Sequence, residues 1–310
     1  MINDGKIKNY DDSNGLPDLK IRNILEDAEG NILIGTNEKG LSIFKGENFI
    51  SYSEEEGLRN SQVRAILQDS KGKFWFGTNE GISLFRPDNP KKAQFSDFYK
   101  LKNTRIKIIK EDTRGRIWIG TDDQGIFTFN SNDGAFTYEP ILNSYITLLD
   151  VKALEPDDEG KIWAGTLDGL VSYDYDQRVA EYYTQTSGLA GNEITSLFFD
   201  DKSGNLWVGS RGEGLSYMDQ DSFKIADLGN KFTAKCMITD QDGRLWVGTE
   251  ARGVLVIDPL KQEIIKSYKE TDGLLANLVN LLITDAEKNV YVGTNKGLNL
   301  INQNENKIYS

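Results

Sequence analysis

Apolar residues along this chain come in short runs separated by polar, glycine-bearing turns, and no stretch repeats at helical spacing. Residues 63–69 (VRAILQD) form an apolar-rich run that reads as one strand, and an Asp-x-x-Gly turn follows it. The next run, FWFGT, is apolar at successive positions, as a strand requires when both faces of its sheet are covered. A short turn ending at Gly81 leads to ISLF, and a fourth run ends near Tyr99. The pattern predicts four strands in succession, called a to d below, joined by tight turns.

The same grammar recurs through the chain. Asp-x-x-Gly-x-apolar-Trp-apolar-Gly-Thr is found as DAEGNILIGT from Asp27, DSKGKFWFGT from Asp69 and DTRGRIWIGT from Asp112. It returns as DDEGKIWAGT from Asp157, DKSGNLWVGS from Asp201, DQDGRLWVGT from Asp240 and DAEKNVYVGT from Asp285. The second glycines, Gly35, Gly77, Gly120, Gly165, Gly209, Gly248 and Gly293, are spaced by 42, 43, 45, 44, 39 and 45 residues. Seven four-strand units at this period predict an all-β, seven-bladed β-propeller of four-stranded blades, a single domain over residues 1–310. Trp75, Trp118, Trp163, Trp207 and Trp246 share one slot in strand b, which Leu33 and Tyr291 fill in the first and last copies. Such uniform use assigns the slot to blade–blade packing.

The ends and the last turn qualify this picture. GKIKNY (residues 5–10) matches strand d and is expected to complete blade seven, closing the ring and leaving no exposed sheet edge. NKIYS (residues 306–310) is a second candidate for the same place, which suggests that the chain is cut from a longer protein. In the last copy Lys288 replaces the turn glycine, so either a non-glycine residue is left-handed there or the turn differs.

Composition narrows the chemistry. Acidic residues outnumber basic ones 48 to 36, a net charge of −12 that repels a nucleic-acid backbone. No apolar run is long enough to span a membrane, and the first residues lack a secretory leader. The chain has no histidine, so His-based triads, metal sites and proton shuttles are excluded. The single cysteine, Cys236, lies in a strand a without an activating base and reads as core.

The repeated motif, followed by Gly-Leu at Gly57-Leu58, Gly188-Leu189 and Gly273-Leu274, resembles the two-component regulator propeller repeat along the whole chain. Kelch repeats lack this motif, and WD repeats normally carry a Gly-His pair that a histidine-free chain cannot supply. The resemblance implies a periplasmic, extracytoplasmic sensor region of a bacterial hybrid two-component system. It also implies recognition of an oligosaccharide, a longer multidomain parent and neighbouring domains as partners, with a homodimer a further option. It carries no binding residues over, so those are argued from position.

Variation marks the end of the blades where the b–c and d–a loops lie, the top, whereas the Asp-x-x-Gly hairpins at the bottom are monotonous. Counting five residues back from each turn aspartate, with Asp200 used in blade five, gives Arg22, Arg64, Lys107, Lys152, Thr195, Lys235 and Asn280. Five cations at one position of the innermost strand are expected to ring the channel mouth and attract an anion such as a uronic acid or sulfated sugar. Arg211 and Arg252 in the top loops complete the candidate ligand-binding set, while Lys39 and Lys296 read as solvated. The plainer alternative pairs these cations with carboxylates such as Asp122, Asp168 or Glu213. Tyr145 and Phe232 are candidates for stacking on a sugar or for packing.

A catalytic reading would need paired carboxylates among Asp122, Asp123, Asp168, Glu213 and Glu250, as in a glycosidase or lyase. Residues 240–243 (DQDG) superficially suggest a calcium loop but lack the distal ligands and are one more copy of the hairpin. No catalytic residue, metal or cofactor is assigned. The sequence is thus read as a non-catalytic ligand sensor, with a protein-docking propeller as the alternative.

Overall fold

The computed structural model describes residues 16–45, 48–85, 95–220, 222–229, 231–285, 288–302 and 307–309. They form seven four-stranded antiparallel sheets, the blades of a β-propeller, in which strands pair in chain order a-b-c-d. The blades occupy residues 21–52, 63–98, 106–138, 153–183, 194–225, 234–268 and 279–309. Among the described residues the α-helix is a single turn, Pro140–Asn143, in the connection between blades three and four.

Each hairpin is built around its aspartate. In blade three, Asp112 Oδ1 accepts the backbone N–H groups of Arg114 and Arg116, both at 3.0 Å, and Oδ2 accepts the indole N–H of Trp118 at 2.9 Å. The same indole bond joins Asp69 to Trp75, Asp157 to Trp163 and Asp240 to Trp246. Blades one and seven lack the tryptophan and replace the donor from another position. There the amides of Asn31 and Asn289 donate to Asp27 Oδ2 and Asp285 Oδ2 at 2.9 and 2.7 Å. In blade five Asp200 faces Asn205 across the hairpin, and the hydroxyl of Ser203 donates to its carboxylate at 2.5 Å. At the last hairpin Lys288 adopts φ 70°, the left-handed conformation its glycine counterparts supply elsewhere.

Trp118, Trp163 and Trp246 face neighbouring blades, as the sequence pattern implies. The chain divides into two compact units, residues 67–234 and residues 1–66 with 235–310. In the first, Trp118 of blade three packs with Leu154 and Ile162 of blade four and with Val151 just before it. Trp163 in turn packs with Ile194 and Leu206 of blade five and with Leu189 of the connection before it. In the second, Trp246 of blade six meets Val279, Leu282 and Val290 of blade seven, and Leu281 meets Ile21, Ile24 and Ile34 of blade one. The second motif glycine permits this approach: a Cβ on Gly165 would lie 2.6 Å from Ile194 Cγ2 of the next blade.

One expectation is corrected. The fourth place in sheet seven is filled by Lys307–Tyr309, which pairs with the preceding strand c through Leu300, Ile301 and Asn302. The N-terminal candidate, residues 5–10, lies outside the described residues. A strand joined to its partner by a short hairpin loses less chain entropy on pairing than one arriving from the far end of the sequence.

Candidate functional site

At the top of each blade, the threonine that closes the motif ties down the b–c turn. Thr36, Thr78, Thr121, Thr166, Thr249 and Thr294 each donate a hydroxyl to the carbonyl of the turn glycine, at 2.8–2.9 Å. Ser210 departs from the pattern and donates to the carbonyl of Gly191 at 3.0 Å. On this fixed rim the variable side chains are displayed.

The five-back alignment has a structural basis that the sequence did not reveal. Strand a opens with a β-bulge in blade one at Ile21/Asn23 and in blade three where Thr121 opposes Ile106 and Gly120 opposes Ile108. Blades five and seven repeat it at Ile194/Ser196 and Val279/Leu281. Arg22, Lys107, Thr195 and Asn280 are the skipped residues, with no cross-strand partner in the ladder. A bulged residue is re-aimed relative to the pleat, so these side chains need not alternate with their neighbours. Lys152 holds the same place one residue ahead of the Ala153–Gly165 pair.

Their surroundings differ between the two units. In residues 67–234, Lys107 and Lys152 converge on one carboxylate. Lys107 Nζ meets Asp150 Oδ1, and Lys152 Nζ meets Asp150 Oδ2 at 2.6 Å. Lys107 also meets Asp122 Oδ1 at 2.6 Å, and Arg105 Nη1 meets Asp122 Oδ2 at 3.1 Å. The result is an alternating chain, Arg105–Asp122–Lys107–Asp150–Lys152, three positive charges against two negative. Both lysines and both carboxylates are partly buried, at 19–25% side-chain exposure, so solvent screens them only in part. Thr195 donates instead to the carbonyl of Ala234 at 2.6 Å. Arg211 is exposed and paired with Glu193.

In the other unit, Arg22 is exposed and forks onto Asn37 Oδ1 through Nε and Nη2. The carbonyl of Arg64 accepts from the amide of Asn23 at 3.3 Å, and Arg64 and Lys235 are half-buried. The backbone N–H of Arg252 donates to Thr249 Oγ1 at 2.8 Å. The structure therefore brings Lys107 and Lys152 together, and gives Arg22 and Arg211 separate polar partners.

The two aromatic candidates part company. Phe232 is buried, a packing residue. Tyr145 is 39% exposed and stacks on Tyr182, also 39% exposed, with ring centroids 6.1 Å apart. Burial, with the charge of Asp168 beside it, pushes the Tyr182 phenol above its usual range. Leu148, in the same blade-three-to-four connection, is 76% exposed. Among the candidate catalytic carboxylates, Asp122 is held by Arg105 and Lys107 and Glu213 by Lys231. Asp240 accepts backbone, guanidinium and indole N–H groups, the bonds of a hairpin and not of a cation loop.

Sequence reasoning missed Asp150, Glu193 and Tyr182. The first two stand two residues before the aligned position, so the same alignment read two residues earlier reveals them. That row lies against the residue following each Gly-Thr: the backbone N–H groups of Asn37, Asp122 and Arg211 donate to the carbonyls of Lys20, Arg105 and Glu193.

Fold and rim together define a seven-bladed propeller with invariant hairpins and a variable top. Five segments, residues 15–38, 57–80, 100–123, 188–212 and 227–251, match the family described as the two component regulator propeller. No curated protein matches the sequence. Among solved structures, the chain resembles the extracellular domain of a hybrid two component system from B. thetaiotaomicron. The TM-score is 0.77 at 24% identity, over 94% of this chain and 40% of that one. PorZ, described as a surface component of the type-IX secretion system of Porphyromonas gingivalis, gives 0.72 at 16% identity, over 92% of this chain and 46% of that one. A catalytically inactive histidine-to-alanine variant of virginiamycin B lyase from Staphylococcus aureus, with quinupristin, gives 0.62 at 13% identity, over 79% and 82%. At these identities the likeness is one of fold. The chain spans less than half the length of the first two structures.

Proposed function

We propose that this propeller is a non-catalytic, ligand-sensing module in the extracytoplasmic, periplasmic part of a two-component sensor, where it recognises an acidic oligosaccharide. The observation that carries the reading is the convergence of Lys107 and Lys152, from consecutive blades, on a single carboxylate at the variable end of the fold. Two ammonium groups gripping two oxygens of one carboxylate form a ready receptor for the acid group of a uronic acid. Arg22, Arg64 and Lys235 are the corresponding cations of the other unit. The exposed Tyr145–Tyr182 pair offers an aromatic face to a sugar ring.

The absence of histidine weighs against lyase chemistry of the kind that a histidine-to-alanine change abolishes in the virginiamycin B enzyme. Similarity to an extracellular sensor domain supports the location and the sensor role, with neighbouring domains of a longer parent as the partners that receive the signal. No helix among the described residues is long and apolar enough to cross a membrane. A ligand signals only through different affinity for two arrangements of the module and its neighbours.

A thermal-shift and calorimetry panel of oligogalacturonides against neutral xylo- and malto-oligosaccharides tests the reading. A ligand at about 100 times its Kd stabilises the fold by about 2.7 kcal/mol. The expected result is a shift with the acidic sugars, weakened by salt and lost in the Lys107→Ala, Lys152→Ala double variant. A shift with neutral sugars alone would retain the sensor and remove the cations from its site. Silence throughout would favour docking of a protein on exposed Tyr145, Leu148 and Tyr182.

A further inference from the structure

The lysine pair is already engaged. Asp150 presents one oxygen to Lys107 and the other to Lys152, the contacts that a ligand carboxylate would make. The carboxylate arrives on a connection that reaches this place through two successive non-glycine residues in the left-handed region, Leu148 at φ 57° and Leu149 at φ 54°. Each such residue is disfavoured, and a pair persists only where the surroundings hold it. Backbone bonds hold it, Gly125 N–H to the carbonyl of Leu149 at 2.9 Å, Leu149 N–H to that of Ile146 at 3.2 Å and Val151 N–H to that of Thr121 at 3.2 Å, and the Asp150 side chain adds the clasp of the two lysines. Among the described residues no other blade places a carboxylate from this position between two of the aligned cations. The residues at the Asp150 position are Lys20, Gln62, Arg105, Glu193, Thr233 and Leu278, and the one carboxylate among them, Glu193, sits two residues before Thr195 and pairs with Arg211 instead.

We propose that Asp150 is a built-in occupant of a carboxylate site formed by Lys107 and Lys152, displaced when the acid group of an acidic glycan binds. This rests on the acidic-ligand reading above and adds its regulation. Displacement leaves neither lysine unpaired, since the ligand takes both contacts and Lys107 keeps Asp122. It also frees the side-chain restraint on the Leu148–Leu149 turn, leaving the backbone bonds. The affinity of the module for its ligand is therefore set by competition with its own side chain, and occupancy is reported by a loop whose exposed Leu148 faces outward.

The test is titration calorimetry of the full chain with tri-galacturonate, comparing wild type with Asp150→Asn and Asp150→Ser, each first checked for an unchanged circular-dichroism spectrum. Asp123→Asn removes the same charge from the exposed adjoining turn and serves as the control. Removing the competitor is expected to tighten binding about tenfold in both Asp150 variants, with Asp123→Asn moving it far less. Amide exchange at residues 147–150 is expected to rise in the Asp150 variants without sugar, and in wild type on adding it. Acetate at the same concentration serves as a second arm: equal displacement by acetate would assign the site to small carboxylates in place of glycans and overturn the glycan part of the proposal. Wild-type binding that is unchanged or weakened in the Asp150 variants would overturn the competition and leave the acidic sensor standing. Absence of binding in every protein would overturn the acidic sensor itself, and the proposal with it.

Discussion

The hairpin aspartate gathers donors from its own turn and from the tryptophan six residues along in strand b, so its removal strands more than one buried group. Asp112→Ala leaves the Trp118 indole and the Arg114 and Arg116 amides without their acceptor. The expected loss is about 2–3 kcal/mol in urea denaturation, and Asp112→Asn, which keeps an acceptor oxygen, should lose less. In blade one the asparagine amide stands in for the indole, so Asn31→Ala is expected to cost about 1 kcal/mol, a smaller change than at Asp112. The exchange of tryptophan for asparagine was present in the sequence, at Asn31 with Leu33 and at Asn289 with Tyr291. It stayed unread because nothing in a linear motif says that two positions donate to one oxygen. Cys236 belongs to the same scale. Its sulfur faces Gly248 and the core, and burial pushes the thiol up to about 12. Folded protein is expected to resist iodoacetamide at pH 8–9, with alkylation accompanying unfolding. Because the thiol titrates near 8.5 once unfolded, its contribution to stability falls as pH rises from there toward 12.

At the level of strands, two kinds of glycine make separable demands. Gly165 lies in strand b with ordinary backbone angles, and its missing side chain admits Ile194 of the next blade. Gly72 has open space around it but sits at φ +75°. Gly165→Ala is therefore expected to cost about 1–3 kcal/mol by overpacking, and Gly72→Ala about 1 kcal/mol by backbone strain alone. A crystal structure of the first should show blades four and five displaced, while the second leaves packing untouched. If the two variants proved equally mild, blade spacing would not be governed by the glycine. The strand order and the period were legible from the recurrence of this motif. The bulge at the head of strand a was not, because a residue skipped by the ladder looks the same in sequence as one that is paired. Asp150 was hidden for a related reason: its role depends on where a long d–a connection ends, and only the strands had a repeat to align.

At the scale of the whole chain, blades seven and one, far apart in sequence, are joined among the described residues through side-chain packing. Blade seven contacts blade one through Leu281, Ile283 and Leu298, residues of strands a and c, and contacts blade six through Val279, Leu282 and Val290. The C-terminal strand d adds backbone pairing at the outer edge of that sheet. Deleting residues 303–310 is accordingly expected to lower Tm by a few degrees while a single cooperative melt is retained. A truncated chain that no longer folds would show that the last strand, and not the packing of blades seven and one, closes the molecule. The competing end strands in the sequence marked this question without answering it, since both carry the same pattern and only connectivity favours the nearer one.

The bulges have a consequence for how such a protein changes over generations. A residue without a ladder partner is exchanged without shifting the register of the strand that carries it, so arginine, lysine, threonine and asparagine occupy equivalent places on one architecture. Blades one, three, five and seven thus each hold a position that mutation can rewrite without moving the register. New specificities can then be tried by single substitutions, while the aspartate hairpins at the other end of each blade are left untouched.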